Sequence, residues 1–369
     1  MRRGLRSKML TILHTESSDG WGGQEIRILQ ESLGMLNRGH RVIIAAQEES
    51  NIFRRAREKG IEVFPVHLQK KNPLSFLRML SIIKEERVDI LNTHSSADSW
   101  VATIAARLSR RPVRIIRTRH LSTPIGRSVL SRLIYNVLPD AIITTGEQIR
   151  QDMIGYNNFD GSRIFSIPTG IDLGRFNPEQ VRPAFRSGGF AIGMIGVLRS
   201  WKGHRFFIEA IPEILRHIPE AVFYIVGDGP QYENIKNLIR DHSLNDRVSM
   251  LGHREDIPEI LASLDLLVHP SFANEGVPQS VLQAMAMERP VIASDAGSIG
   301  EVVINGKTGF LIEPKRPDLI AEGVIELYRN PGLVVAFGKA GRKLIRDNYS
   351  IDAMLDKLES LYKRLLTYH

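Results

Sequence analysis

The apolar residues of this chain change period repeatedly, and that alternation limits the folds open to it more than any other feature. Short runs rich in β-branched residues, such as Arg41 to Ala46 and Ile90 to Thr93, are separated by stretches of about 10 to 15 residues with helical apolar spacing. Such a series is met by a parallel sheet with helices on both faces, because each parallel crossover has to travel back across the sheet. Strands are expected at Leu10 to His14, Arg41 to Ala46, Glu62 to Val66, Ile90 to Thr93, Arg114 to Thr118 and Ala141 to Thr145. Helices fill the gaps, for example Gly23 to Leu36 and Ser75 to Lys84.

At 369 residues the chain exceeds the roughly 250 to 300 residues at which one core stops growing, so two domains are expected. The alternation lapses at Pro168-Thr169-Gly170-Ile171-Asp172 and again at Phe176-Asn177-Pro178, so the stretch from Pro168 to Pro183 reads as a linker. A second series follows, with strands at Phe190 to Val197, Ala221 to Val226, Val248 to Leu251, Leu266 to His269 and Pro290 to Ala293. The expected organisation is one doubly wound α/β domain over 1–175, another over 176–350, and a C-terminal helix over 351–369. In that helix Ile351, Met354, Leu355, Leu358, Leu361, Tyr362 and Leu365 share a face.

No segment offers the run of about 18 apolar residues that a membrane span needs. Met1 to Lys8 carries four basic residues, but the apolar run behind it is too short for a signal peptide. Together with the absence of Cys, this points to a reducing, cytoplasmic setting and excludes disulfides, thiolate metal sites and cysteine nucleophiles. Charge is uneven: residues 1–175 hold 27 Lys and Arg against 17 Asp and Glu, residues 176–369 hold 22 against 24. Residues 101–139 contain eight arginines and no acid, which favours an anionic partner or else forms a solvated basic face. The apolar positions Val129, Leu130, Leu133, Ile134, Val137 and Leu138 in that stretch suit a core-facing helix or an interfacial one.

Several loops after strands carry chemistry. Gly20-Trp21-Gly22-Gly23-Gln24-Glu25 opens a helix, where glycine and unpaired N–H groups suit a phosphate, although a tight turn needs glycine anyway. The dinucleotide fingerprint GxGxxG is absent, and Gly306-Lys307-Thr308 lacks the glycine five residues earlier that a P-loop requires. Arg199 and Lys202 follow a strand in the second half, and Gly227 and Arg254 follow the next two. Cations there sit where α/β sheets bind ligands, or form a solvated pair. Beyond His269-Pro270, a loop displays Glu275-Gly276-Val277-Pro278-Gln279 before a helix that begins near Pro278. His94, in Asn92-Thr93-His94-Ser95-Ser96, suits a structural hydrogen bond or a site role. No two Asp residues lie two apart, so the Asp-x-Asp metal arrangement is missing.

These blocks, in this order, resemble the family 4 retaining glycosyltransferases of the two-domain GT-B architecture. The likeness runs from Gly22-Gly23 through His94, Pro168 to Asp172, Lys202-Gly203, Gly227 to Pro230, Leu251-Gly252, Glu275-Gly276 and Gly297 to Glu301 as far as Thr308-Gly309. The resemblance implies two Rossmann-like domains facing a cleft and sugar transfer from a UDP- or GDP-sugar to a glycan or lipid-linked acceptor. It implies a role in bacterial cell-envelope polysaccharide or lipopolysaccharide synthesis, without a metal or other cofactor. By resemblance Glu275 and the segment Gly276, Val277, Pro278 and Gln279, through the backbone N–H groups it has, meet the donor sugar, His94 lies near its hydroxyls, and Lys202 and Arg199 meet the diphosphate. Gly22, Gly23, Gly227 and Arg254 complete the donor set, and the C-terminal helix crosses back to the first domain. The chain departs from the family's Glu-x7-Glu pattern at its second acid, which here is Gln283, an amide still able to bond ribose hydroxyls. Arg199 precedes Lys202 by three residues instead of the family's five or six. The acceptor is expected to be anionic, with possible inner-membrane contact and no nucleic acid. A sugar-nucleotide epimerase of similar shape, or a silent nucleotide-sugar binding protein, are the alternative readings.

Overall fold

The computed structural model describes residues 9–69, 72–120, 123–273 and 275–367. The basic segment Met1 to Lys8 and Asn274 of the Glu275 loop lie outside the described residues. The chain divides into two compact units. One comprises Met1–His120, Pro124–Pro168 and Met354–His369, the other Leu121–Thr123 and Thr169–Ala353. The division falls between Pro168 and Thr169, against an expectation of 175/176, and the C-terminal segment belongs to the first unit from Met354 onward.

The first unit holds a seven-stranded sheet in the order β3-β2-β1-β4-β5-β6-β7. Its strands are β1 (Thr11–Thr15), β2 (Arg41–Ala46), β3 (Glu62–Pro65), β4 (Ile90–Thr93), β5 (Arg114–Arg119), β6 (Ala141–Thr144) and β7 (Ile164–Ser166). All pair in parallel, with Leu13 opposite Leu91 and Thr15 opposite Thr93, so the carboxyl ends of β1 and β4 come level. Leu13, Ile43, Leu91 and Ile115 face the helices Pro73–Glu85 and Ser96–Leu108, while Ile28, Ile44 and Phe53 pack on the other side. Burial on both faces is why the interior strands β2 and β6 read as apolar runs.

The segment from Met354 completes this core. Leu355 fills the space a Cβ at Gly34 would occupy, and Tyr362 donates a hydrogen bond to Glu31 Oε1 at 3.0 Å with both side chains buried. The stretch expected to be one amphipathic helix is instead a single turn, Val129–Arg132, continued by a π-type turn, Leu133–Val137. The wider turn directs Ile134 and Tyr135 inward and leaves Val129, Leu130 and Val137 exposed, so the stretch is neither simply core-facing nor simply amphipathic. The arginine run is divided too. Arg117 is buried beneath Tyr135, its guanidinium 3.8 Å from the ring centroid and donating to the phenol oxygen at 2.9 Å.

The second unit holds a six-stranded parallel sheet in the order β10-β9-β8-β11-β12-β13. Its strands are β8 (Ala191–Ile195), β9 (Val222–Val226), β10 (Val248–Gly252), β11 (Leu266–His269), β12 (Val291–Ser294) and β13 (Gly309–Ile312). Strands β7 and β13 were not anticipated. Each is an edge strand of three or four residues with only its first residue buried; β7 offers two apolar residues, Ile164 and Phe165, and β13 three, Phe310, Leu311 and Ile312, too short a run to set a half-solvated edge strand apart from a loop.

Candidate active site

In the second unit, two loops leave the carboxyl ends of neighbouring strands β8 and β11 and are fastened together. The first ends in a 3-10 turn, Ser200–Lys202, and enters the helix His204–His217 through Gly203, whose φ of +80° is the left-handed conformation that glycine takes without strain. A Cβ there would collide with the carbonyl oxygen of Pro270, so only glycine admits the second loop this closely. The Phe272 N–H donates to the Trp201 carbonyl at 2.9 Å and closes the junction.

The junction sets the chemistry of the pair it carries. Lys202 Nζ donates to Glu275 Oε1 at 2.6 Å, and Glu275 is only 6% exposed. Burial alone would raise the Glu275 carboxyl, but the Lys202 ammonium, followed by the neighbouring His269, outweighs it and brings the group down to about 2. His269, the last residue of β11, lies 3.8 Å from the same oxygen, with Ser271 and Ser280 hydroxyls 3.2 and 3.4 Å from its ring nitrogens. His204 is buried with no hydrogen-bond partner for either ring nitrogen among the described residues. Burial first, then Lys202 and His269, take it down to about 3, so it is neutral at ordinary pH. After Glu275 come half-buried Gly276, buried Val277 and Pro278, and the helix Gln279–Ala286 with Pro278 at its N-cap. Gln283 is half-buried on that helix, its amide without a side-chain hydrogen bond among the described residues.

Other expected donor residues lie around this pair rather than in it. Arg199 is exposed, its guanidinium 5.2 Å from the Trp201 ring centroid. Arg254 is exposed and forked onto Asp256. Gly227 lets backbone ends approach: a Cβ would collide with Gly196 O, and its N–H donates to Gly252 O at 2.8 Å. In the first unit Gly22 is the N-cap of the helix Gly23–Asn37, and its N–H donates to Glu25 Oε2 at 2.8 Å. That donor of the glycine turn is therefore occupied by a capping contact.

His94 sits in a chain of three imidazoles at the carboxyl edge of the first sheet. Its Nε2 is 3.0 Å from His14 Nδ1 and its Nδ1 is 3.0 Å from His120 Nε2, while His14 Nε2 looks toward Glu31 Oε1 at 3.8 Å. Burial, aided by neighbouring imidazoles or by Arg27, lowers all three rings and keeps them neutral. A neutral imidazole offers one donor and one acceptor. With a carboxylate paired to Arg27 beyond His14, the consistent order places each ring's proton on Nε2, pointing toward Glu31. Both His94 nitrogens are thus engaged, and a contact with sugar hydroxyls requires exchanging one of its partners. Beside the chain, Glu16 and Asp98 are buried together. Burial, then the Asp98 charge, raises Glu16 to about 8, and Asp98 is raised by burial although Thr15, Ser95 and the His94 N–H donate to it. Among the described residues no group of three or more His, Cys, Asp or Glu is arranged to hold a metal ion.

His14, His120 and His269 were missed from sequence although each stands at the end of a strand or directly after one, the same signal that singled out His94. Glu16 and Asp98 gave no signal, since only the β1–β4 pairing brings them together.

Residues 21–175 match the family model described as glycosyltransferase family 4, and residues 177–344 that described as glycosyl transferases group 1. The chain is also 30% identical over 312 residues, 79% of either chain, to the UDP-Gal:alpha-D-GlcNAc-diphosphoundecaprenol alpha-1,3-galactosyltransferase of Escherichia coli. The chain belongs to glycosyltransferase family 4. It is therefore a retaining glycosyltransferase of GT-B fold, and the epimerase alternative falls away. A second relative, 26% identical over 325 residues and covering 82% of this chain and 83% of its own, is the GDP-mannose-dependent alpha-(1-6)-phosphatidylinositol monomannoside mannosyltransferase of Mycobacterium tuberculosis. Among solved structures, a glycosyltransferase from Rickettsia africae superposes with a TM-score of 0.88 at 23% identity, covering 98% of this chain and 100% of that one. The Anabaena protein HepE in complex with UDP-glucose gives 0.84 at 19%, covering 96% and 100%. Among the described residues of this family 4 enzyme, no helix is long and apolar enough to cross a membrane.

Proposed function

We propose that this family 4 enzyme transfers a hexosyl group from a UDP- or GDP-sugar to a lipid-linked, anionic acceptor in the assembly of a bacterial cell-envelope glycan. The observation that carries the donor reading is the buried Lys202–Glu275 pair at the carboxyl edge of the second sheet. The ammonium is held there ready for the diphosphate, and the carboxylate for a donor-sugar hydroxyl. The bond from the anomeric carbon to the β-phosphate oxygen breaks, the acceptor oxygen bonds to the same face of that carbon, and the acceptor proton passes to the departing phosphate oxygen. A fixed cation facing the charge that develops on the phosphate contributes about 3 to 4 kcal/mol to such a transition state, and no metal is required. Gly276 to Gln279 line the sugar side, Gln283 takes the ribose hydroxyls, and Arg199 and Arg254 swing from exposed positions onto the phosphates. His94 orders the edge of the first sheet. The lipid-linked acceptor is supported by the names of the Escherichia coli and Mycobacterium tuberculosis relatives and by the acid-free run of arginines, which also suits contact with the inner membrane surface.

The test is a melting-temperature screen against UDP, GDP, ADP and their sugars, with and without EDTA, on the wild type and Glu275→Ala. Stabilisation by one series, insensitive to EDTA and with a sugar-dependent increment absent in the variant, is expected. No response to any nucleotide refutes the donor assignment.

A further inference from the structure

The helices Pro73–Glu85 and Ser96–Leu108 pack together in the first unit, and the turns Val129–Arg132 and Leu133–Val137 close over them around an open cavity of about 590 Å³. Phe76, Trp100, Ile104, Leu130 and Ile134 supply its apolar walls. Apart from the exposed Ser96 hydroxyl, the polar side chains that reach it are engaged. Asn72 Oδ1 accepts from the Ser75 N–H, the Tyr135 hydroxyl accepts from Arg117 and Arg119, and Ser131 is bonded to Ser128. A sugar or nucleotide would find few free partners there, whereas a hydrocarbon chain needs none.

The cavity opens on a surface of the same character. Of the thirteen exposed large apolar side chains among the described residues, seven belong to these elements: Leu74, Leu77, Ile104, Leu108, Val129, Leu130 and Val137. Scattered exposed leucines need no explanation, but a concentration of this kind marks a docking surface. Its charge says what docks. The same elements and their flanks carry exposed Arg78, Arg107, Arg110, Arg127 and Arg132, and no acid occurs from residue 101 to 139. Arg110 and Arg132 have no carboxylate partner among the described residues. Long arginine side chains around protruding aliphatic ones match an interface with lipid headgroups outside and acyl chains within.

We propose that this face docks on an anionic phospholipid bilayer, with the Trp100 cavity receiving the end of an acyl chain. The proposal deepens the reading of the acceptor as lipid-linked and rests on it, since docking would hold the enzyme where such an acceptor resides. Its test is co-sedimentation with vesicles of phosphatidylcholine alone and of phosphatidylcholine with phosphatidylglycerol, at low and high salt. Wild type is expected on the anionic vesicles only and to be released by salt. Arg132→Glu is expected to weaken binding at least about fivefold, and Leu130→Asp with Val137→Asp at least about tenfold. Brominated acyl chains should quench tryptophan fluorescence in wild type and do so less in Trp100→Phe. Because Leu130 and Val137 are exposed, these variants should keep the wild-type melting temperature, and their response to UDP or GDP reports on the donor site separately. Equal binding to both vesicles, none to either, or variants that bind as wild type overturn the proposal. So does a concentration-dependent dimer without vesicles that Leu130→Asp abolishes, which would assign the face to a second copy of this chain.

Discussion

Removing the Lys202 ammonium leaves the Glu275 carboxylate buried with only His269 to balance it. The present descent of that carboxyl from 4.5 to about 2 corresponds to folding free energy on the order of 3 kcal/mol. Because the folded-state value is depressed, this contribution is present above the unfolded value of 4.5 and is lost as pH falls toward 2. In Lys202→Met the largest remaining influence is burial, which raises the carboxyl instead, so the variant should lose stability at neutral pH and regain part of it on acidification. Breaking a buried ion pair from one side costs about 3 to 5 kcal/mol, or about 6 to 20 °C of melting temperature for a unit of this size. The double variant Lys202→Met/Glu275→Gln removes the stranded charge and should recover much of the loss. The assay is urea unfolding of the four proteins of this cycle between pH 3 and 7. If the two losses add, with a coupling below about 0.5 kcal/mol, the pair does not act as a unit and the reasoning fails.

Three further outcomes follow from the geometry. Glu16, raised to about 8, favours folding while protonated, a contribution complete below 4.5 and lost as pH rises through about 8; Glu16→Gln should flatten the decline in melting temperature between those limits. Gly203→Ala forces a side chain into φ +80° and against Pro270 O, so it should cost well over about 1 kcal/mol and abolish the melting shift given by UDP or GDP; an unchanged shift would show that the junction does not position Lys202. Nitrogen-15 spectra of the imidazoles should find His94 neutral and protonated on Nε2, with a titration midpoint well below 6.5; a proton on Nδ1 would reverse the order assigned to the chain.

What the amino-acid order revealed of this fold depended on how each residue is buried. The strands β2, β4 and β11 are buried throughout or nearly so, and their boundaries were readable to the residue from apolar runs. Strands β7 and β13 are half-solvated edges whose two or three apolar residues are too short a run to mark a strand. Glu275 and Lys202 were legible as residues because glycine and proline punctuate their loops, but nothing in a linear spacing says that 73 residues apart they form one buried pair. Arginine content was legible as charge. It took the packing of Tyr135 to show that Arg117 belongs to the interior while Arg132 remains outside.

The dependence of the first unit on residues from Met354 onward bears on the order in which a ribosome delivers the chain. When Ser166 of β7 has emerged, every strand of that sheet exists, yet the socket at Gly34 is empty and Glu31 still lacks the Tyr362 hydroxyl. The nascent sheet must wait through nearly two hundred more residues, the whole second unit among them, before its last apolar face is covered. A stop codon placed shortly before Leu355 would therefore spare the second unit's core and strand the first in the state it occupies during synthesis, an incomplete fold with an open seam for chaperones or proteases.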